Sequence, residues 1–364
     1  MSDLPSAVST PIDLKELPIP ELQTCLTMLG AESYRVRQIA RWVFKSSVRQ
    51  VAGMTDLPKA LRQTLEAHTC ISHLPEPEVS VASDGTRKLR YHLDDGAVIE
   101  SVLIREPTRL TLCLSTQAGC RISCAFCLTT KSGLRRHLRV AEIVDQIMQA
   151  RARLETDEHL TNLVFMGMGE PLDNYANTVK ALRLITHPEA VGFSPRRITV
   201  STSGLVPALR QFGAEGLRVN LAVSLNAPND AIRTQLMPIN KKWSIGELLA
   251  ACKAYPLPPS RRITFEYVLL AGLNDHPTHA EQLARILQSL RCKVNLIPFN
   301  EFPGAAFRRP SPEAVQRFQA ILQRHYLTAT VRESRGRDIG AACGQLAESA
   351  PRLPVTLDSV PPIG

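Results

Sequence analysis

Cys120, Cys124 and Cys127 fall in the run Gly119-Cys120-Arg121-Ile122-Ser123-Cys124-Ala125-Phe126-Cys127, a CxxxCxxC spacing just after a strand-like stretch. Three thiolates on one tight loop can bind three irons of a [4Fe–4S] cube. The fourth iron is then left without a protein ligand and free to take a substrate or cofactor. An open iron implies catalysis and not only electron storage. A zinc site is the competing reading, although zinc usually takes paired CxxC or Cys/His spacing and a fourth ligand; three thiols adjacent by chance is the bland one.

Such a loop has to be held by rigid elements. From residue 110 to about 332 strand and helix patterns alternate. Strands are expected at Leu110–Ser115, Asn162–Met166, Arg197–Ser201, Val219–Leu225, Ile263–Leu269 and Val294–Pro298. Helices are expected at Glu142–Leu154, Tyr175–Ile185, Ile245–Tyr255, His276–Leu290 and Pro312–His325. Repeated βα units make an α/β fold with a parallel sheet curled into a full or partial barrel, whose reactive groups gather at the C-terminal strand ends. Nearly every strand end here carries polar or glycine-rich punctuation: the cysteine loop, Gly167-Met168-Gly169-Glu170-Pro171, Ser201-Thr202-Ser203-Gly204, Ser224-Leu225-Asn226-Ala227 and Phe299-Asn300. If an amino acid bearing a nucleoside, such as S-adenosylmethionine, chelates the open iron, each has a use. Gly167 and Gly169 let backbone approach it, Glu170 takes its ammonium, and Ser201, Ser224 and Asn226 face ribose and carboxylate. Taken singly, a Gly-x-Gly-Glu-Pro run is often only a turn, and Ser or Asn at a strand end often only a helix cap.

Ahead of the barrel, residues 12–70 carry helical patterns from Leu14 to Leu29, Tyr34 to Ser46 and Leu57 to His68. The middle one sets Arg35, Arg37, Arg41 and Lys45 on its wet side, a face suited to RNA phosphates or simply to solvent. Three strand-like runs follow, Val79–Ala82, Lys88–Leu93 and Val98–Ile104, separated by turns containing Asp84-Gly85 and Asp95-Gly96, so a small β-meander is expected. Period 2 puts Glu100 on the face of Val98, Val102 and Ile104. It is either an edge-strand charge facing water or a buried carboxyl whose raised pKa suits proton transfer.

The whole chain, 364 residues with 44% hydrophobic and 21% charged, is sufficient for one large domain and one or two small ones. No apolar run approaches a membrane span of roughly 18 residues, and the opening Met1-Ser2-Asp3-Leu4-Pro5-Ser6 has neither a basic flank nor an apolar core. The expectation is a soluble cytoplasmic protein with no membrane partner. Nine cysteines without a secretion signal argue for reduced thiols, and Cys25, Cys70, Cys252 and Cys292 read as small buried hydrophobes. A net charge of +9 suits a polyanionic partner.

The chain resembles radical SAM enzymes and, among them, the RlmN-type RNA adenine carbon-2 methyltransferases. The resemblance spans nearly the whole chain and rests on the three cysteines, Met166-Gly167-Met168-Gly169-Glu170-Pro171-Leu172, Leu236-Met237-Pro238-Ile239-Asn240 and Gly340-Ala341-Ala342-Cys343-Gly344-Gln345-Leu346. It implies a partial (βα)6 barrel at 108–332, a helical RNA-binding domain at 1–75, a β-meander adaptor at 76–107 and a C-terminal segment at 333–364. It implies a [4Fe–4S] cluster on Cys120, Cys124 and Cys127, with S-adenosylmethionine held by Gly169, Glu170, Ser201, Ser224, Leu225, Asn226 and Asn300. Asn226 stands where many relatives have histidine. It further implies that Cys343 accepts a methyl group, its thiolate favoured by Arg335 and Arg337. By the same resemblance Glu100 would take the ring proton, and Cys113 would release product by forming a disulfide with Cys343. The implied partners are 23S rRNA, tRNA bearing an adenosine 3′ of the anticodon, and an electron donor such as flavodoxin or ferredoxin, with the protein a monomer. A Cfr-like carbon-8 methylation would use the same cysteines, and a non-enzymatic cluster-bearing RNA-binding protein would need neither Cys343 nor an open iron.

Overall fold

The computed structural model describes residues 11–347; the run from Met1 to Ser6 and the C-terminal residues 348–364 lie outside the described residues. The frame is a ten-stranded sheet. In chain order its strands are β1 (Glu78–Val81), β2 (Arg87–His92), β3 (Val98–Glu106), β4 (Arg109–Cys113), β5 (Asn162–Phe165), β6 (Ile198–Thr202), β7 (Asn220–Ser224), β8 (Ile263–Leu269), β9 (Cys292–Pro298) and β10 (Ala329–Val331). From β4 to β10 every neighbouring pair is parallel. The six expected barrel strands are present, and β10 adds a short seventh, whose three residues cannot display a period. The sheet stays open, with β1 and β10 at its edges.

Alternation along the parallel strands divides the molecule into layers. Leu163, Phe165, Ile198, Val200, Leu221, Val223, Ile263, Phe265, Val294 and Leu296 are buried in the apolar core. That core lies between the sheet and its helices α4 (Val140–Arg151), α5 (Tyr175–Thr186), α6 (Val206–Ala214), α7 (Asp230–Leu236), α8 (Ile245–Ala254), α9 (Pro277–Leu287) and α10 (Pro312–Arg324). Most alternate residues face inward as small or polar side chains: Thr111, Asn162, Thr199, Ala222, Thr264 and Asn295 line an internal cavity, with Val164 beside them. A closed eight-stranded barrel fills that space with branched apolar side chains; this one does not.

β1 to β3 form the expected meander, and it is continuous with the barrel. β3 pairs antiparallel with β4, Val102 opposite Cys113. β3 is therefore an interior strand, and Glu100 is only 1% exposed, so the reading of an edge charge facing water does not hold.

The N-terminal module contains three helices, α1 (Ile19–Met28), α2 (Arg35–Phe44) and α3 (Lys59–His68), the first to third module helices. The pattern from Leu14 to Leu29 is split at Pro18, leaving a single 3-10 turn at Leu14–Glu16 before the first helix begins at Ile19. That turn docks the module on α4. Lys15 forms a buried ion pair with Asp145, and the Glu16 carboxylate accepts the N–H groups of Val140 and Ala141, each at 3.2 Å. A carboxylate at the start of a helix satisfies orphan donors and suits the dipole. On the second module helix, Arg37 pairs with Glu189 at 2.6 Å and Lys45 donates to the Pro188 carbonyl at 2.9 Å, so part of the basic face leans on the barrel. Among the described residues no helix is long and apolar enough to cross a membrane.

Candidate active site

The cysteine loop is stitched by its own backbone and by α7. Thr130 Oγ1 donates to the carbonyls of Cys124 (3.1 Å) and Cys127 (2.8 Å), Cys120 N–H bonds Gly133 O, and Ala125 N–H bonds Leu236 O at 2.9 Å. This places all three cysteines on the wall of one cavity at the C-terminal strand ends. Burial raises all three thiols, Cys120 to about 12, and the negative charges of the neighbouring cysteines add to the rise at Cys120 and Cys124. Three such groups ionise together only beside a strong cation, which irons would supply. Among the described residues no three metal-binding side chains close tightly enough to share a single ion. A cube, which gives each sulfur its own iron, does not require that convergence.

The same cavity is lined by Gly169, Glu170, Ser201, Ser224, Asn226 and Asn300. Glu170 is buried; its Oε2 accepts Ser203 N–H at 2.7 Å and its Oε1 accepts Leu172 N–H at 3.1 Å. Burial raises its carboxyl and these bonds pull it back. Asn300 Nδ2 donates to Cys343 O at 3.1 Å, while its Oδ1 is buried with no hydrogen-bond partner among the described residues. A bound polar ligand would satisfy such an acceptor. Under the loops, the fully buried Arg233 donates to the carbonyls of Ser203 (2.6 Å) and Leu225 (3.2 Å) and to Asn240 Oδ1 (3.0 Å). It ties β6, β7 and the Leu236-to-Asn240 segment into one rim.

Cys343 lies on a C-terminal strap across the barrel. Leu128 N–H bonds Gly344 O at 2.7 Å, Gln345 Nε2 bonds Glu301 O at 2.7 Å, and Thr129 Oγ1 bonds Leu346 O at 2.6 Å. Gly344 has φ +84°, and a Cβ there would stand 3.3 Å from Phe126 O. Below the strap, Cys113 is pushed up to about 12, first by burial and then by the neighbouring Cys343. The Arg332 guanidinium is raised above its ordinary value, chiefly by the charge of Cys343 as a thiolate. Glu100 pairs with Lys88 Nζ at 3.2 Å and accepts Ala347 N–H at 3.2 Å; burial raises its carboxyl and Lys88 opposes the rise.

Residues 114–283 match the Radical SAM superfamily, and residues 12–71 match the ribosomal RNA large subunit methyltransferase N-terminal domain. Two proteins named dual-specificity RNA methyltransferase RlmN are each 48% identical to this chain over 93% of its length. They come from Syntrophus aciditrophicus and Geobacter sulfurreducens, and 97% and 93% of their own lengths are covered. The crystal structure of a radical SAM methyltransferase from Sphaerobacter thermophilus superimposes with a TM-score of 0.86 at 45% identity, covering 93% of this chain and 100% of that one. The chain belongs to the RlmN family of radical SAM RNA methyltransferases. It is an RNA methyltransferase enzyme, and its cofactors are a [4Fe–4S] cluster and S-adenosylmethionine.

Within this family frame, several sequence expectations need correction. Leu225 does not line the cavity: its side chain is in the core and its N–H bonds Glu266 O. Asn226 is at the wall, but its amide is engaged, Oδ1 with Val268 N–H at 2.9 Å and Nδ2 with Met237 Sδ at 3.2 Å. The glycines after β5 are required by the chain itself, since a Cβ at Gly167 would meet Leu114 O at 2.7 Å and one at Gly169 would meet the Gln117 side chain at 2.6 Å. Arg332 faces Cys343; Arg335 lines the lower cavity with Cys343 and also acts on Asp84 and Glu106, and Arg337 lies near Arg309. Glu100 lines neither the upper cavity nor the one beneath it, because the strap residue Ala347 covers its carboxylate. Cys252 and Cys292 are buried as expected, whereas Cys70 is exposed and Cys25 half-buried. Sequence reasoning missed Arg233, Glu266 and Arg332. A polar residue at an inward position of β8 could have marked Glu266.

Proposed function

We propose that this enzyme methylates carbon 2 of adenosine in 23S rRNA and of the adenosine 3′ of the anticodon in tRNAs, with Cys343 carrying the methyl group. The juxtaposition of Cys343 with Cys113, Arg332 and the three-cysteine cavity wall carries this reading. When bound, the cluster and S-adenosylmethionine supply a 5′-deoxyadenosyl radical. Cys120, Cys124 and Cys127 hold the cluster, while Gly169, Glu170, Ser201, Ser224, Asn226 and Asn300 hold S-adenosylmethionine, with Leu225 contributing through its place in the same loop. Arg332 stabilises the Cys343 thiolate that takes the methyl group from the sulfonium. Adenine carbon 2 is not nucleophilic, so hydrogen loss from the S-methyl group and addition of its carbon to the ring replace direct attack. Glu100 then takes the ring proton after the strap shifts off it, and Cys113 frees the product by forming a disulfide with Cys343.

Residues 1–75 and the 76–107 meander clamp the RNA, 108–332 is the radical barrel and 333–364 the methyl-carrying segment. The working form is a cytoplasmic monomer reduced by flavodoxin or ferredoxin. In a reconstituted assay Cys343→Ala is expected to abolish RNA methylation while the cluster's absorbance stays intact. Full methylation by that variant would overturn the two-step route. Mass spectrometry of digested product RNA is expected to locate the methyl group on carbon 2 of adenosine.

A further inference from the structure

Among the described residues, the strap from Arg332 to Ala347 contains no helix or strand, so its bonds to other elements set where the Cys343 sulfur stands. Much of it lies on the meander. The turn joining β1 to β2 ties the strap twice and reciprocally: Asp84 Oδ2 accepts Gly336 N–H at 3.0 Å, and Asp338 Oδ2 accepts Ser83 N–H at 2.9 Å. Asp84 Oδ1 also accepts Thr86 N–H at 3.0 Å, so one carboxylate closes its own turn and grips the strap. Burial opposes its ionisation, but the bonds from Gly336 and Thr86 and the charge of Arg335 prevail and hold the carboxyl below its ordinary value. The approach is close. Gly336 has φ +66°, and a Cβ there would meet Thr86 Cγ2 at 2.9 Å and Ala341 Cβ at 2.8 Å. Gly336 O in turn accepts Ala341 N–H at 2.8 Å, which brings the tie within two residues of Cys343. Farther along, a Cβ at Gly340 would stand 3.8 Å from Lys88 Nζ, and Ala347 covers Glu100.

Resting on the proposed role of Cys343 as methyl carrier, we propose that Asp84 and Asp338 are positioning residues for that methyl group, their paired bonds fixing the near end of the strap as a pivot. One sulfur has to meet the sulfonium, then the ring, then Cys113. Glu100 is free to take a proton only when Ala347 leaves it, so the far end of the strap is the end that moves. A near end tied to the hairpin confines the sulfur to an arc in place of a loose search. Hydrogen loss from the S-methyl group depends on that arc, since a reacting atom displaced by about 1 Å costs roughly 10²-fold in rate. The ties suit a pivot, because hydrogen bonds to ionised carboxylates are stronger than those between neutral groups, such as Leu128 N–H to Gly344 O and Thr129 Oγ1 to Leu346 O at the far end.

Loosening the pivot tests this. Asp84→Asn leaves one side-chain oxygen to serve two N–H groups, and Asp338→Ala removes the second tie at an exposed residue outside the core. With S-adenosylmethionine carrying a trideuterated methyl group, at saturating RNA, the unmodified enzyme is expected to place one deuterium in each 5′-deoxyadenosine. In both variants Cys343 should still become S-methylated. Methylated RNA formed per 5′-deoxyadenosine should nevertheless fall about ten-fold, and the deuterium-free fraction should rise as the radical takes hydrogen from buffer C–H bonds instead. Mass spectrometry of 5′-deoxyadenosine reads this ratio, which a simple loss of stability leaves unchanged. Slower turnover at an unaltered ratio would overturn the proposal. Alkylation of Cys343 by iodoacetamide, in enzyme without S-adenosylmethionine or RNA, supplies a readout that needs no turnover. Both variants should react at least about three-fold faster, the sulfur being less confined, and equal rates count against the pivot. Absence of deuterium from the 5′-deoxyadenosine of the unmodified enzyme would instead overturn the methyl-carrier reading, while the alkylation still reports on the pivot.

Discussion

At the scale of single residues, Glu100 decides whether the meander takes part in the chemistry. A carboxylate buried on an interior strand is unfavourable unless paired, and Lys88 is its partner. Glu100→Gln keeps the shape and removes the proton acceptor. Cys343 should then accumulate its S-methyl group while RNA methylation falls by about 10²–10⁴-fold, measured by peptide mass spectrometry alongside product counting. Unimpaired RNA methylation would remove Glu100 from the mechanism. The pH profile has a definite sign. Burial raises the Glu100 carboxyl above its ordinary 4.5, and only the ionised form accepts a proton. Activity should therefore be lost on acidification at a pH above 4.5, and Lys88→Met, by removing the opposing charge, should move that loss to still higher pH.

At the scale of elements, Arg233 joins loops that are far apart in sequence. Its burial holds it down to about 10, still charged at neutral pH, and it serves backbone carbonyls of the loops after β6 and β7. Arg233→Met leaves buried acceptors unserved at about 1–3 kcal/mol each. A loss of about 2–4 kcal/mol in urea unfolding is expected, with weaker S-adenosylmethionine binding. Arg233→Lys should not restore either, since an ammonium lacks the planar fork; an unchanged unfolding midpoint would refute this role. This residue also marks the limit of what the sequence discloses. The strands, most helices and the polar strand ends are legible because period and punctuation are local. α7, with seven residues, is too short to show a helical stripe, and Pro207 and Gly213 blur α6. Arg332 facing Cys343 and Ala347 over Glu100 depend on tertiary contact, which no local spacing reports. The hollow barrel was legible in part: Thr199 and Ser201 alternate with Ile198 and Val200, and Thr264 and Glu266 with Ile263 and Phe265.

At the scale of the whole molecule, the question is how a chain of net charge +9 presents that charge to RNA. The Lys15–Asp145 pair and the Glu16 cap fix the N-terminal module on α4, so its second helix, Arg35–Phe44, holds a set position beside the barrel. Arg37 and Arg41 on that helix are exposed. The Arg37–Glu189 pair is a surface one, with Arg37 78% exposed, and such pairs contribute about 0–1 kcal/mol, little enough for a phosphate to displace. Each phosphate contact adds roughly 0.7–0.9 to the slope of log affinity against log salt. The double variant Arg37→Ala/Arg41→Ala should therefore bind substrate RNA more weakly at every sequence, with that slope reduced by about 1.5. Reductive cleavage of S-adenosylmethionine without RNA should be unchanged, because the variant touches nothing at the barrel mouth. Weakened binding with an unaltered salt slope would mean that these arginines hold the module's shape and do not contact phosphate, and the clamp would have to be sought on the meander.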